Sequence, residues 1–259
     1  MKIKQLVQFL DKRYNIDVCD EIDYGKLGLQ IGDLDVELTS VLLTLDVTND
    51  VVDEAIKLGS NLIISHHPAI FNPMLRFTEQ SKSSKLLRKL IQSNISVYNM
   101  HTNLDLAVGG VNDALADVFG LTNTKTIDTG TPSGNYIRYG TIVPSTLKDY
   151  ANKLKQVCNI PVVKVLGNLE KEVRSVAILG GAGSDIMYQN QAILLQADVY
   201  VTSEIKHHEA MYANLAGLAM IEVPHSAEFF YHKNVSKELT EFGVFVFVTK
   251  TKIDPFIYV

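Results

Sequence analysis

The residues best equipped for chemistry are the histidines and the carboxylates near them. The chain has seven histidines. Six lie at or just beyond the ends of expected strands: His66 and His67, His101, His207 and His208, and His225. Adjacent histidines leaving an extended segment point in different directions, so His66 and His67 suit two neighbouring ions better than one. Asp105 offers two carboxylate oxygens and can bridge such a pair. His225 and Glu228, three residues apart at an expected strand-to-helix turn, are spaced to add one ligand to each ion or both to one. The set of His66, His67, Asp105, His225 and Glu228 is one of nitrogen and oxygen donors. It suits two divalent cations among Zn, Mn, Fe, Co and Ni, with room for water.

Each feature also has a plainer explanation. Paired histidines are most often a surface accident, Asp105 can simply turn the chain before Gly109-Gly110, and His225 with Glu228 reads equally as a capped helix start. Asp46 is either a partner behind a ligand or a helix-start residue. The turn Gly180-Gly181-Ala182-Gly183 matches neither dinucleotide nor P-loop spacing and is weak as a phosphate cradle. His207 and His208 read as helix-start residues, with proton transfer as the functional alternative, and His232 reads as surface. The common placement of the candidate ligands at strand ends favours metal.

The elements that must hold these residues are those of an α/β fold. Residues 41–47 form an expected strand, Thr48 or Asn49 caps a helix with apolar Val51, Val52, Ala55 and Ile56, and Gly59 ends it. Residues 62–65 are the next strand, stopped by His66, His67 and Pro68. A helix over residues 83–93 leads to a strand over 95–100 that runs into His101. Such crossovers are right-handed and make the strands parallel, so Asp46, His66, His67, His101 and Asp105 share one sheet edge. Open α/β sheets bind ligands at that edge.

Residues 122–135, rich in Thr, Gly, Pro and Ser, look like a boundary. Strands near 136–143, 162–166 and 173–179 and a helix near 147–157 follow. A strand, helix and strand then lead to His207-His208 as others led to His66-His67, which suggests an internal duplication. A strand at 219–223 precedes Pro224-His225, and a helix through Phe229, Val235 and Leu239 and a strand at 244–248 close the set. The expected division is a metal-binding α/β domain of residues 1–126 plus 224–259, with a second α/β domain, 127–223, inserted.

The chain has 259 residues, 46% hydrophobic and 20% charged, which suffices for a sizeable core. A formal net charge of -5 gives no footprint for nucleic acid. No secretory leader is expected in the first ten residues, and no apolar run approaches the roughly 20 residues needed to cross a bilayer. Cys19 and Cys158 belong to no CxxC pair, which argues against a thiolate zinc site and fits a reducing, cytoplasmic compartment.

The motifs Leu45-Asp46-Val47-Thr48, Ile63-Ile64-Ser65-His66-His67-Pro68 with Phe71, His101-Thr102-Asn103-Leu104-Asp105, Gly109-Gly110-Val111-Asn112-Asp113 and Pro224-His225-Ser226-Ala227-Glu228, in this order, closely resemble the Nif-three-like family. The family's bacterial members are also labelled GTP cyclohydrolase I type two homologues. The resemblance covers essentially the whole chain. It implies two related α/β domains with mixed or parallel sheets flanked by helices, the second inserted into the first. It also implies a dinuclear metal centre and a toroidal homohexamer, and its ligands fall on His66, His67, Asp105, His225 and Glu228. The activity implied is metal-dependent hydrolysis of a nucleotide, in the manner of GTP cyclohydrolase I, where water attacks purine C8 and formate leaves. His208 and His101 are the candidate proton carriers. The alternative is a non-catalytic metal-handling or regulatory hexamer. The chain departs from the family pattern at Gly25-Lys26, where many relatives have Asp-Asn, at Ser203 and Pro224, where Gly is usual, and in lacking the larger insertion of some relatives.

Overall fold

The computed structural model describes residues 1–127 and 135–258. They form two compact units, Met1–Ala107 with His232–Ile253, and Val108–Tyr231 with the residues from Asp254 onward.

The first unit opens with helix α1 (Ile3–Arg13), whose buried Ile3, Leu6, Val7 and Leu10 recur at the spacing of one helical face. Strand β1 (Gly28–Ile31) follows, then β2 (Val41–Thr44), all four of whose residues are buried. Thr48 caps helix α2 (Asn49–Leu58) by accepting from the Val51 amide at 3.3 Å, and Gly59 ends it at φ 69°. Strand β3 (Leu62–Ser65), helix α3 (Lys82–Gln92), strand β4 (Ser96–Asn99) and the short helix α4 (Thr102–Leu106) complete this stretch. Strands β2, β3 and β4 are parallel, and Thr44, Ser65 and Asn99 pair in register, so the three strands end level. Leu42, Ile63 and Val97 pack with Val52, Ala55, Leu87 and Leu90 into the core beneath them.

The second unit begins with α5 (Val111–Phe119), β5 (Thr122–Ile127), β6 (Ile137–Thr146), α6 (Leu147–Val157), β7 (Lys164–Leu166) and β8 (Glu172–Ile178). It continues through α7 (Ile186–Leu194), β9 (Val199–Thr202), α8 (His207–Ala216) and β10 (Ala219–Glu222), and then a 3-10 segment, His225–Tyr231. Its sheet order is β5-β6-β8-β9-β10-β7, with β8, β9 and β10 parallel and the others antiparallel to their neighbours. The chain then re-enters the first unit as α9 (His232–Glu241) and β11 (Val246–Val248). This gives the first sheet the order β1-β4-β3-β2-β11, with β1 antiparallel at one edge and β11 parallel at the other.

Two mixed sheets flanked by helices, the second unit inserted into the first, are the expected architecture. The bounds differ from those expected. Val108–Tyr231 forms the insertion, because α5 lies against the 3-10 segment and the second sheet, and His225 and Glu228 therefore belong to the second unit. Residues 122–127, expected as part of a boundary, form the edge strand β5, whose exposed threonines and lysine give it the composition of a loop. The remainder of that expected boundary, residues 128–134, lies outside the described residues.

Candidate metal centre

In the first unit the ligand candidates stand where β3 and β4 stop. The His66 and His67 amides continue the ladder by donating to the Thr44 and Leu45 carbonyls at 3.3 and 2.9 Å. The buried Asn99 side-chain Nδ2 donates to the His66 carbonyl at 2.6 Å, which fixes the paired peptide. His101 precedes α4, and its carbonyl accepts from the Asp105 amide at 3.2 Å, placing Asp105 one helical turn on and on the same side. The rings of His66, His67 and His101 lie 5.1 to 5.7 Å apart between centroids, and one nitrogen from each lies within 4.8 Å of the others.

Each of these imidazoles is held through Nδ1. The buried His66 donates from Nδ1 to the Met100 carbonyl at 3.0 Å, an oxygen that can only accept. Nδ1 of His67 donates to Asp46 at 2.8 Å, and that of His101 donates to Asp23 at 2.8 Å. A neutral imidazole has one N–H, so Nε2 in all three rings presents a lone pair. A carboxylate or carbonyl behind the ring is the arrangement that orients metal-binding histidines and raises their basicity. His66 Nε2 faces Asp105 Oδ1 at 3.7 Å, two acceptors whose approach calls for positive charge between them.

Asp23 sits fully buried under this cluster. Burial pushes its pKa up, but hydrogen bonds from His101 and from the Thr102 amide and hydroxyl outweigh it and hold the carboxyl below the usual aspartate value. It therefore stays ionised and keeps the proton of His101 on Nδ1.

The second unit repeats this logic in a different element. The 3-10 segment has three residues per turn, so residues i and i+3 eclipse, and His225 Nε2 meets Glu228 Oε2 at 3.0 Å. Nδ1 of the same ring lies 2.7 Å from Glu204 Oε1. With a carboxylate at each nitrogen, the ring must either carry a second proton or share one position with a cation, and a divalent ion fits the second description. The donor sets of both units thus suit metal: imidazole Nε2 and carboxylate oxygen, with second partners in place.

All five expected ligands lie in such groups, His66, His67 and Asp105 in one unit and His225 and Glu228 in the other. His207 and His208 do not follow β9 directly but stand exposed in the first turn of α8. Glu209, three residues after Lys206, rather than a histidine, caps that helix by accepting from the Lys206 amide at 3.0 Å. Sequence reasoning passed over Asp23 and Glu204. Nothing near them in sequence signals a role, since Asp23 lies 78 positions from His101 and Glu204 lies 21 from His225. Asp46, read as a partner or a helix start, is a partner.

The sequence profile of the family described as Duf34/NIF3 (NGG1p interacting factor 3) matches residues 1–255. A Lactococcus lactis protein named GTP cyclohydrolase 1 type 2 homolog is 34% identical over 240 residues, 91% of this chain and 91% of that protein. A hypothetical protein of Staphylococcus aureus of known structure is similar with a TM-score of 0.93 and 33% identity, covering 100% of this chain and 99% of that one. Reduced HcgD from Methanocaldococcus jannaschii is similar with a TM-score of 0.80 and 27% identity, covering 96% of this chain and 98% of that one.

Proposed function

The chain belongs to the Duf34/NIF3 (NGG1p interacting factor 3) family, and from that premise we propose that it is a metal-dependent hydrolase acting on a nucleotide. Two divalent cations would be held, with His66, His67 and Asp105 as ligands from one unit and His225 and Glu228 as ligands from the other. The observation that carries this reading is the shared orientation of His66, His67, His101 and His225, in each of which Nδ1 is occupied and Nε2 is left as the ligand atom.

Bound divalent ions would supply Lewis acidity, making water a nucleophile near neutral pH and neutralising charge at the attacked centre. The residues do the rest. Asp46 and Glu204 orient His67 and His225 and strengthen them as donors. Asp105 offers two oxygens, enough to serve both ions. His101 is fixed by Asp23 with Nε2 toward the same cluster, the state in which it accepts a proton from water or returns one to a leaving group. His208, exposed on α8, is the second candidate proton carrier. For GTP, the substrate suggested by the relatives' name, the bonds broken by water would be those that release purine C8 as formate. The resemblance further proposes a ring of six copies.

A second reading, a metal-handling protein without chemistry, is favoured by one observation. One nitrogen each of His66, His67 and His101 lies within 4.8 Å of the others, so a third imidazole is placed to take a coordination position that water or substrate would otherwise fill.

One experiment separates the readings. Protein loaded with Zn, Mn or Fe is assayed by elemental analysis and for formate released from GTP. Two ions per chain with formate release is the expected result. Two ions with no release at any loading leaves the handling role, and unchanged metal content in His66→Ala/His67→Ala removes the site altogether.

A further inference from the structure

The turn Gly180-Gly181-Ala182-Gly183 matches no phosphate-binding spacing, yet it lies against the ligand candidates of the second unit. A methyl group built on Gly181 would overlap Glu228 Oε1 and stand 3.2 Å from Glu228 Cδ and 3.6 Å from His225 Nε2. One built on Gly180 would stand 3.3 Å from Glu228 Cγ. The carboxylate therefore occupies the space that a side chain on Gly181 would fill, and the methylene behind it lies against Gly180.

The turn itself is pinned. The Gly180 amide donates to the buried Asn112 side chain at 2.8 Å, the Gly181 carbonyl accepts from the Ser203 amide at 3.2 Å, and the Gly183 carbonyl accepts from the Tyr200 hydroxyl at 2.6 Å. Because the backbone is tied to α5 and β9, a clash at Gly181 would be relieved by moving Glu228 rather than the turn. The next residue lies beside the other ligand's partner: Ser184 Oγ stands 3.0 Å from the Glu204 carbonyl while it also donates to Glu209 Oε2 at 2.5 Å, and the Glu204 carboxylate accepts from His225 Nδ1.

We propose that the turn from Gly180 to Ser184 is a template for the metal ligands of the second unit, in which Gly181 is a positioning residue that sets where the Glu228 carboxylate stands. This rests on the metal-binding reading above and adds to it a residue type, glycine, that no ligand list would include.

Gly181 has φ +60°, so an alanine there is also strained as backbone, and the test must separate the two effects. Gly217, in the same unit, has φ +71°, and a methyl group on it meets nothing within 4 Å. Gly217→Ala thus carries the strain without the clash. Wild type, Gly181→Ala and Gly217→Ala are titrated with Co2+ alone, following stoichiometry, affinity and the d–d absorption spectrum, with the thermal unfolding midpoint read in parallel. Gly181→Ala is expected to weaken Co2+ binding roughly 10- to 100-fold, as loss of a ligand's support does, and to alter the spectrum. Gly217→Ala is expected to bind as wild type does. If Gly181→Ala does not fold, Gly180→Ala, which presses only on Glu228 Cγ and Leu115, should give a smaller loss in the same direction. Equal affinities and spectra in the glycine variants and wild type would overturn the template alone. Failure of wild type to take up Co2+ would overturn the metal reading and the template together.

Discussion

At the scale of single residues, the chain gives each imidazole in its ligand groups a fixed tautomer, and it does so mostly with carboxylates. This makes the second partners testable apart from the ligands. Asp46 is half-exposed and touches His67 without lying in the core, so Asp46→Ala should leave the fold intact. It should weaken Zn2+ binding by roughly 10- to 100-fold, because the His67 ring loses both its orientation and part of its basicity. Calorimetric titration with Zn2+ measures this directly, and an affinity equal to wild type would show that Asp46 does not support a ligand. Asp23 differs from Asp46 in being fully buried, and its three hydrogen bonds from His101 and Thr102 keep a charge where burial alone would remove it.

At the scale of elements, three level parallel strands deliver His66, His67, His101 and Asp105, whereas a 3-10 segment delivers His225 and Glu228. An α-helix would have turned residue i+3 aside by about 60° relative to i, and the tighter 3-10 repeat removes that offset. In the second unit Asp198, just before β9, braces the parallel pairing of β8 and β9. Its carboxylate accepts from the Arg174 and Ser175 amides at 2.9 Å and from the Ser175 hydroxyl at 3.0 Å, tying β9 to β8. Burial raises its pKa, but these hydrogen bonds together outweigh burial and hold the pKa below the ordinary aspartate value. The folded pKa is thus below the unfolded one. The resulting stability is complete above the unfolded value of about 3.9 and is lost as pH falls through the folded pKa. Denaturant unfolding of wild type and Asp198→Asn should therefore differ at neutral pH, with wild type the more stable, and converge in acid. A difference independent of pH would rule out an ionised Asp198 as the cause.

At the scale of the whole molecule, the chain leaves the first unit at Ala107, builds the second, and returns at His232 to add α9 and β11. Each unit carries a ligand group, so bound metal should stabilise the folded protein by mass action. A site-saturating concentration of about 100 times the dissociation constant adds about 2.7 kcal/mol per ion. Thermal unfolding with Zn2+ or Mn2+, and again after chelation, should show the midpoint rise and fall reversibly, and His66→Ala/His67→Ala should lose part or all of the rise. A midpoint indifferent to metal and chelator would exclude ligand binding to the native state.

Much of this was already decided by the order of residue types. Buried runs such as Val41–Thr44 and Leu62–Ser65, separated by a capped amphipathic helix, have the pattern of a parallel crossover, and with the next helix and strand this puts His66, His67 and His101 at one edge. Local physics acts within a few residues, so caps, strands and helix faces are legible from it. The tertiary structure decided what depends on distance along the chain: that β5 pairs as a polar edge strand, that α5 and the 3-10 segment belong to the second unit, and that Asp23 and Glu204 stand behind His101 and His225. It also gave the Gly180-Gly181 turn its place against Glu228. None of these carries a periodic signature, because a hydrogen bond or a steric limit between remote residues leaves no trace in the spacing of either one.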